Sequence, residues 1–582
     1  MRRCLFLAFI TLTVCTYPTI STPSSGQSAD NVSASPLPIQ SLQPLGKINQ
    51  TISQFPAQIN IPFELSSGTD QGEQFSFFLG VEKQGIVDEG YTISYKIEKK
   101  DQSQATWYVS KHYPDGKEEE FFFPYSRVRT ALKFGVPHKV TMQVYPLADR
   151  PDLSLYHITI DNLVIGSFID YFPKGQWIVR VRSNQATLGN VSLEVQKLSL
   201  PTSPVYDSIL AFGDSITFGH QEQRDTDPYP AVLASFLGEK YSVINAGNPG
   251  EKTDDTYATR NQEGLLRFKA LIDVFRPEYV LLFEGTNNVT DPGVLDDLRS
   301  MLSYAAGKGV VPIITTLPPL YTSKTTNAIN ASIRSLSIPK GGTLLDLEKA
   351  FLDRTAYAND LLEGSHISSP RALIALDGVH PVREAHYKMA RLFERVLRSL
   401  FSRRYNATWL SQGAVKSTDQ DADLIIVQPG NSTEVQVEFQ NTGSRPWLSE
   451  GEQQVGLYVY RDPYWSTPPR YNESASPLFG TDFYASNGWG SSISGTVLKT
   501  RAASLSSAVV HPGEKARFTF LLSAGSAAKP HPSIDDPNTY YDDRYDRSDF
   551  SLAAGPDWIN NTTNGDSLGI AHVWFKIQVR KS

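Results

Sequence analysis

Cysteine is almost absent from this chain of 582 residues, which contains only Cys4 and Cys15. Both lie in an N-terminal segment that we expect to be removed on export, so the mature chain would keep one thiol at most. No internal disulfide can then form. The folded domains must therefore be stabilised by packing alone.

Runs of basic residues are also missing. The formal net charge is -7, and lysine and arginine do not gather into the kind of patch that binds phosphate backbones. Nucleic acid is therefore excluded as an expected partner. With 40% hydrophobic and 20% charged residues, the composition is that of a globular protein rather than a disordered one.

The N-terminal apolar run is too short to cross a bilayer. Two arginines precede about ten mostly apolar residues, which is the length of a secretory signal core. We expect residues 1–22 to be a signal peptide and the protein to be secreted, extracellular or periplasmic. Residues 12–15, Leu-Thr-Val-Cys, resemble a bacterial lipobox, although Val14 stands where a small residue is usual. Lipid attachment at Cys15 and simple signal removal both remain open.

The length predicts roughly three or four domains, since one core seldom holds so many residues. Residues 23–45 are rich in serine, threonine and proline and are typical of a linker. Residues 46–200 carry short β-rich runs such as YTISYKI and HKVTMQVYPL, split by turn residues, and predict an all-β sandwich.

The end of this region resembles the closing strands of concanavalin-like sandwiches, in HITIDNLVIGSFIDYF, GQWIVRVRS and VSLEVQKLSL. That resemblance implies a carbohydrate-binding domain. Trp107, Tyr108 and Trp177 could stack on sugar rings, but a tryptophan in a sandwich is more often a core residue, and we favour that interpretation.

Between residues 204 and 403 the pattern changes to strands that alternate with helices. Apolar runs such as SILAF, YSVINAG, YVLLFEG, VVPIITT and TLLDL are separated by helix-length stretches, and a last helix is expected over about 382–403. Alternation of this kind predicts a parallel sheet in an α/β domain. Its functional groups are expected at the carboxyl ends of the strands.

Four polar stretches lie at predicted strand ends in this domain: FGDSITFG, NAGNPG, EGTNN and DGVHP. Ser215 in the first follows a strand, but Thr217 excludes the nucleophile elbow of α/β-hydrolases, which requires glycine there. Together and in this order, the four stretches resemble the motif blocks of the SGNH, or GDSL-type, esterase superfamily. The resemblance implies a flavodoxin-like, three-layer α/β domain.

The same resemblance implies a role for five residues. Ser215 would be the nucleophile, His380 its base and Asp377 the acid that orients the base. The backbone N–H groups of Ser215 and Gly247 and the side-chain amide of Asn287 would form the oxyanion hole. A serine hydroxyl needs a neighbouring base, and the tetrahedral intermediate needs fixed donors, so these residue types suit acyl transfer. Neither a cofactor nor a metal is implied.

Some assignments have rivals. His366 follows Glu363 with the spacing that separates His380 from Asp377, and spacing alone cannot choose between them. The position just before the last helix favours His380. Asn288 replaces an aspartate found in many members of the superfamily and is expected to support its loop. His386, within the last helix, is expected to face solvent.

Residues 406–582 return to strands, including STEVQVEFQ, KARFTFLL and HVWFKIQV, and predict an Ig-like sandwich. VEFQNTGSRPW and VWFKIQV resemble an Ig-like family of autophagy cargo receptors and bacterial surface proteins, which implies an interaction role and a core position for Trp447. The acidic stretch at 535–549 lacks the spacing of a calcium loop, so a solvated loop is favoured.

These patterns predict a multidomain protein whose central α/β domain is flanked by two all-β sandwiches. The expected function is a secreted or surface-anchored serine esterase acting on O-acyl esters, acetyl esters above all, of a polysaccharide. Two alternatives remain: an acyl hydrolase of the lipase or lysophospholipase type, and a binding or adhesion protein whose middle domain is inactive. The β-domains are the expected contacts for glycan or surface partners.

Overall fold

The fold is taken from a computed structural model of the chain. The structure describes residues 43–52, 55–65, 74–81, 89–97, 104–113, 117–120, 128–130, 132–173, 175, 177–184, 188, 191–220, 227–254, 263–321, 326–353, 370–414, 424–451, 454–459, 490–494, 497–523, 546–554, 557–558, 560–561 and 572–580. The expected signal peptide, Cys15 and His366 lie outside these residues. Of the helices in the described ranges, none is both long and apolar enough to span a membrane.

The chain divides into two compact units, one of residues 1–200 with 220–225 and one of residues 201–219 with 226–582. The strands of the first unit are β1 (Gln43–Ile52), β2 (Ala57–Glu64), β3 (Gln74–Val81), β4 (Glu89–Ile97), β5 (Gln104–His112), β6 (Glu118–Glu120), β7 (Val128–Thr130), β8 (Pro137–Pro146), β9 (Leu153–Ile160), β10 (Leu163–Tyr171), β11 (Trp177–Asn184) and β12 (Glu194–Lys197).

These strands form two antiparallel sheets. One has the order β1-β11-β3-β4-β5-β6, with β7 paired to β5, and the other has the order β10-β9-β8-β2-β12. Residues alternate in burial along β8, where Val140, Met142 and Val144 are buried and the residues between them are more exposed. This period of two gives each sheet one apolar face, and both sheets contribute side chains to a single hydrophobic core.

Two of the three candidate sugar-stacking residues belong to this core. Trp107 and Trp177 are buried, and Trp107 packs against Tyr95 with ring centroids 4.7 Å apart. The prediction that these tryptophans are core residues is therefore confirmed. The side chain of Tyr108 lies outside the described part of the structure.

The central part of the second unit contains strands alternating with helices, as predicted. Its elements are β13 (Val205–Gly213), α1 (Ser215–Phe218), α2 (Tyr229–Leu237), β14 (Ser242–Gly247), α3 (Gly264–Phe275), β15 (Pro277–Phe283), a 3-10 turn (Thr286–Asn288), α4 (Val294–Gly307), β16 (Val311–Thr315), α5 (Thr326–Arg334), β17 (Thr343–Leu345), α6 (Leu347–Leu352), a second 3-10 turn (Pro370–Leu373) and α7 (Arg383–Phe401).

The five strands form a parallel sheet in the order β14-β13-β15-β16-β17, which is the doubly wound order of flavodoxin-like folds. All seven residues of β15 are buried, as expected of a strand covered on both faces. Gly213 pairs with both Gly247 and Phe283, so β13, β14 and β15 end at the same level. The polar residues that follow them therefore meet at one edge.

The rest of the second unit is built from strands β18 (Asn406–Ala414), β19 (Leu424–Val427), β20 (Ser432–Asn441), β21 (Trp447–Leu448), β22 (Val455–Val459), β23 (Gly490–Ser494), β24 (Val497–Ser504), β25 (Val509–Val510), β26 (Lys515–Ser523), β27 (Asp546–Ala554), β28 (Asp557–Trp558), β29 (Asn560–Asn561) and β30 (His572–Val579). Sheets with the orders β26-β20-β18-β29 and β19-β30-β27-β22-β24-β23 contribute to one core. Trp447 is buried in it, as predicted.

A group of four charged residues, in which Arg404, Arg445 and Glu278 are buried and Asp207 is partly exposed, joins this β region to the parallel sheet. We call it the amino-end cluster, because Asp207 and Glu278 lie near the amino ends of β13 and β15. Arg404 donates to Asp207 and to Glu278 at 2.8 Å each. Arg445, which precedes β21, donates to Glu278 at 2.7 Å through Nε and also contacts it through Nη2. Two arginines thus face two carboxylates.

Candidate active site

Ser215 lies at the carboxyl end of β13, where the strand turns directly into α1. Asp214 caps this short helix, and its Oδ1 accepts the N–H of Ile216 at 2.8 Å. A Cβ on Gly213 would lie 2.2 Å from the carbonyl oxygen of Phe283, so only glycine fits before the turn. In the local sequence Gly-Asp-Ser, the glycine avoids a steric clash, the aspartate caps the helix and the serine supplies a hydroxyl group.

The structure brings Ser215, His380 and Asp377 into one hydrogen-bonded chain. Oγ of Ser215 lies 2.9 Å from Nε2 of His380, and Nδ1 of His380 lies 2.7 Å from Oδ2 of Asp377. With a carboxylate facing Nδ1, the hydrogen-bond network assigns the ring proton to Nδ1 and leaves Nε2 to accept from the serine. This is the geometry of a nucleophile, a base and an orienting acid.

Asp377 is held in its ionised form. Partial burial raises the pKa of Asp377, but the N–H of Val379, the imidazole and the N–H of His380 together lower it below its ordinary value. Its Oδ1 accepts these two N–H groups at 2.9 and 3.0 Å. The carboxylate therefore has its acceptor sites filled by its own loop and presents its other oxygen to the imidazole.

Backbone hydrogen bonds fix the loop that carries the base. The N–H of Ala375 donates to the carbonyl of His380 at 2.8 Å, and the N–H of Tyr321 donates to the carbonyl of Gly378 at 2.8 Å. Gly378 has a φ of 76°, a conformation that favours glycine. The loop is thus closed on itself and tied to the segment that follows β16.

The predicted oxyanion role of Gly247 needs correction. Its N–H donates to Oδ1 of Asn245 at 2.9 Å, so this donor is already used within the fold. A Cβ at this position would lie 2.0 Å from the backbone nitrogen of Phe218. Gly247 therefore allows β14 to pack closely against α1, and its role is steric.

Three residues later, Gly250 offers the donor that Gly247 does not. It lies in a turn closed by the N–H of Glu251 and the carbonyl of Asn248 at 3.2 Å, and its φ is 77°. No acceptor among the described residues takes the N–H of Gly250. The Pro-Gly pair in NAGNPG is the sequence signal for this turn, because proline and then glycine suit its two central positions.

Asn287 is anchored and yet exposed. One hydrogen of its Nδ2 donates to the carbonyl of Glu251 at 2.8 Å, which leaves the second hydrogen of the amide to point elsewhere. Asn288, next to it, is buried and donates to Oγ1 of Thr253 at 3.0 Å. Asn288 therefore supports the loop, as predicted.

Beneath these loops lies a second buried group, Asp214, Glu251, Arg267 and Glu284, which we call the carboxyl-end cluster. Burial first, and then the nearby carboxylates of Asp214 and Glu251, raise the pKa of Glu284 well above its ordinary value. Burial likewise raises the pKa of Asp214. Glu251, Arg267 and Glu284 could not be recognised from the sequence, because each lies in an otherwise ordinary turn, helix or strand end.

His386 differs from its prediction. It is fully buried rather than facing solvent, and its Nδ1 accepts the N–H of Tyr229 at 3.2 Å. Its ring stacks on that tyrosine with an interplanar angle of 10°. A histidine one turn into α7 therefore faces inward and packs against α2.

Comparisons with known proteins found one family model and several similar solved structures. Residues 211–387 match the model of the GDSL-like Lipase/Acylhydrolase family. Similar solved structures include a carbohydrate acetylesterase from Sinorhizobium meliloti, with 16% identity over 33% of this chain and 99% of that one and a TM-score of 0.25. A GDSL-like lipase from Bacteroides thetaiotaomicron has 18% identity over 34% and 92%, with a TM-score of 0.25. No curated protein matches the chain.

Proposed function

Since residues 211–387 form a GDSL/SGNH hydrolase domain, we propose that this protein is a serine esterase whose catalytic residues are Ser215, His380 and Asp377. The observation that carries the proposal is the hydrogen-bonded chain from the serine hydroxyl through the imidazole to the carboxylate, with contacts of 2.9 and 2.7 Å. In an inactive descendant we would expect at least one of these contacts to be missing.

The proposed reaction has two halves. Oγ of Ser215 attacks the ester carbonyl while Nε2 of His380 takes the hydroxyl proton, and the same nitrogen then gives that proton to the departing alcohol. A water molecule repeats the attack on the acyl-enzyme, again through His380, and releases the acid and the free serine. Asp377 stays ionised throughout and stabilises the imidazolium.

The oxyanion would be bound by three donors. We assign them to the N–H of Ser215, the N–H of Gly250 and the second Nδ2 hydrogen of Asn287. The case for Gly250 over Gly247 rests on which N–H is already engaged. Each such donor is typically worth about 10² to 10³ in kcat.

For the substrate, we propose acetyl or other small O-acyl esters on a polysaccharide. β-Strands precede the hydrolase domain, beginning at Gln43, and follow it, beginning at Asn406, and such regions offer surfaces that could hold a polymer. We further propose that these regions are two sandwiches, one before and one after a three-layer domain in the chain, with the boundaries predicted from the sequence. Secretion, with or without a lipid on Cys15, completes the proposal.

One observation favours a second candidate, a lipid-type acyl hydrolase. Leu376, the residue before Asp377, is fully exposed, and Tyr321, which is hydrogen-bonded to the same loop, is 44% exposed. Two apolar side chains beside a base would suit a hydrocarbon chain as well as a sugar ring. The two candidates therefore differ in the length of acyl chain that the site accepts.

The experiment compares turnover of 4-nitrophenyl acetate with that of the octanoate ester, using Ser215→Ala as the control. We expect serine-dependent hydrolysis, higher kcat/KM for the acetate, and release of acetate from acetylated polysaccharide. Preference for octanoate would select the lipid-type candidate. Absence of serine-dependent turnover on every ester would reject the esterase and leave the binding or adhesion protein.

A further inference from the structure

We propose that Arg267 and Glu251 are positioning residues that hold the nucleophile turn and the oxyanion donors in register. The inference rests on the proposed esterase function and extends it to two residues that do not touch substrate. The evidence for it is the set of backbone groups with which the two residues form hydrogen bonds.

Arg267 ties together the ends of two neighbouring strands. It projects from α3 and is fully buried. Nη1 donates to the carbonyl of Ala246 at 2.7 Å, and Nη2 donates to the carbonyl of Gly213 at 3.2 Å. Gly213 stands two residues before Ser215, and Ala246 lies at the end of β14, so one planar guanidinium fixes the level at which both strands stop.

Glu251 extends the same connection to the other two loops. Its carboxylate accepts Nε of Arg267 at 2.6 Å and is also contacted by Nη2. Its Oε1 accepts Nδ2 of Asn248 at 3.0 Å, within the turn that presents Gly250. Its backbone carbonyl accepts the Nδ2 of Asn287 at 2.8 Å. The pair therefore links the places where all three oxyanion donors are attached.

Stability alone is a weak explanation for this pair. Burying two charges costs desolvation free energy that their attraction often only offsets, and well-packed apolar residues can replace such a pair without loss of stability. What apolar residues cannot replace is the fixed fork of donors that reaches two carbonyls and a carboxylate at once. The arrangement therefore specifies geometry more than it adds stability.

The expected consequence is a loss in kcat rather than in KM. Oxyanion donors act chiefly on the transition state, and a misplacement of about 1 Å can cost about 10²-fold in rate. We therefore expect the loss of the pair to lower kcat by about 10- to 100-fold while KM changes by less than about threefold.

Two variants test this. Arg267→Lys keeps a charge beside Glu251 but cannot reach both carbonyls, and the double variant Arg267→Met with Glu251→Leu removes both members of the ion pair together. The matched control is Arg276→Lys, at the end of the same helix, because that arginine also donates to backbone carbonyls, those of Lys308 and Pro201. Each is assayed with 4-nitrophenyl acetate, with a boronic acid as transition-state analogue, and by thermal unfolding.

The expected result is that both variants fold, that kcat falls as stated, and that the Ki of the boronic acid rises by a similar factor, while the control keeps wild-type values. An unchanged kcat in a folded variant, a loss confined to KM, or failure of both variants to fold would each overturn the positioning role. Failure of the esterase proposal is separate, because it would appear in the wild-type protein as an absence of serine-dependent turnover.

Discussion

The two ends of the parallel sheet differ in how their charged side chains are balanced. The amino-end cluster sets two arginines against two carboxylates, whereas the carboxyl-end cluster sets one arginine against three carboxyl groups. In the balanced cluster each charge has an opposite partner, as buried charges require. In the unbalanced cluster, burial and then the carboxylates of Asp214 and Glu251 raise the pKa of Glu284, which favours its protonated form.

The difference in charge balance matches the different roles of the two ends of the sheet. The amino-end cluster holds two parts of the second unit together, and the backbone supports it: the N–H of Arg445 donates to the carbonyl of Arg404 at 3.0 Å. The carboxyl-end cluster underlies the loops of the proposed catalytic residues. Changes at the amino end should therefore lower stability and spare the rate, and changes at the carboxyl end should lower the rate first.

The largest effect is expected at the carboxyl end, from Ser215→Ala. Removing the nucleophile should lower kcat by about 10⁴-fold or more, because no other group can form the acyl-enzyme. The unfolding temperature should change little, since the fold does not depend on the hydroxyl. Turnover by Ser215→Ala near the wild-type rate would contradict the assignment of the nucleophile and, with it, the comparison of the two ends of the sheet.

The next effect separates the contributions of His380 and Asp377 to the rate. His380→Ala should lower kcat nearly as far as Ser215→Ala, while Asp377→Ala should cost less by roughly 10²-fold, because a poorly oriented base is still a base. Steady-state kinetics on one ester measures both. His366→Ala is the control for the rival base and should keep wild-type kcat. If His366→Ala inactivated the protein and His380→Ala did not, the assignment would be wrong.

At the amino end, Arg445→Met should lower the free energy of unfolding by about 3 kcal/mol, because it leaves buried carboxylate charge with one arginine instead of two. The rate per folded molecule should stay within about twofold. Urea denaturation followed by far-UV circular dichroism and by residual esterase activity gives both numbers. The control is Arg517→Met, which breaks an exposed pair with Glu438 and should cost no more than about 1 kcal/mol.

A fall in kcat for Arg445→Met without loss of stability would mean that the two ends of the sheet are coupled. It would also remove the distinction on which the comparison rests.

The sequence made the ends of the strands predictable and the clusters beneath them unpredictable. Ser215, Asp377 and His380 stand in short contiguous motifs that follow apolar runs, and a parallel sheet must bring such motifs to one edge. The strand and helix pattern from β13 to α7 was predictable for the same reason, since its apolar periodicity is strong.

The features that could not be predicted depend on contacts between residues distant in the chain or on which acceptor one side-chain amide offers to a neighbouring N–H group. NAGNPG contains two glycines, and the side chain of Asn245, folded back on Gly247, engages the N–H of that glycine, whereas the N–H of Gly250 has no acceptor among the described residues. Arg267 lies in the helix sequence GLLRFKAL, where an arginine ordinarily indicates the solvated face. Nothing in that pattern reveals the carbonyls that it reaches.

The smallest effect is the sharpest test of the comparison, and it concerns one isosteric change at each end, Glu284→Gln and Glu278→Gln. In the unfolded chain a glutamate loses its proton near pH 4.3, whereas burial and its acidic neighbours make folded Glu284 keep the proton to higher pH. Between those two values folding takes up a proton, so this group's contribution to stability falls as pH rises, by up to about 1.4 kcal/mol per pH unit.

Glutamine cannot titrate, so Glu284→Gln should unfold at a higher temperature than the wild type at pH 8, and the difference should shrink as pH falls towards 5. Glu278→Gln should do the reverse at neutral pH and lower the unfolding temperature, because it takes a carboxylate away from two buried arginines. Thermal unfolding of both variants across this pH range measures the contrast. A lower unfolding temperature for Glu284→Gln at pH 8, or a gain that does not vary with pH, would show that folding does not raise the pKa of Glu284, and it would remove the contrast between the two clusters.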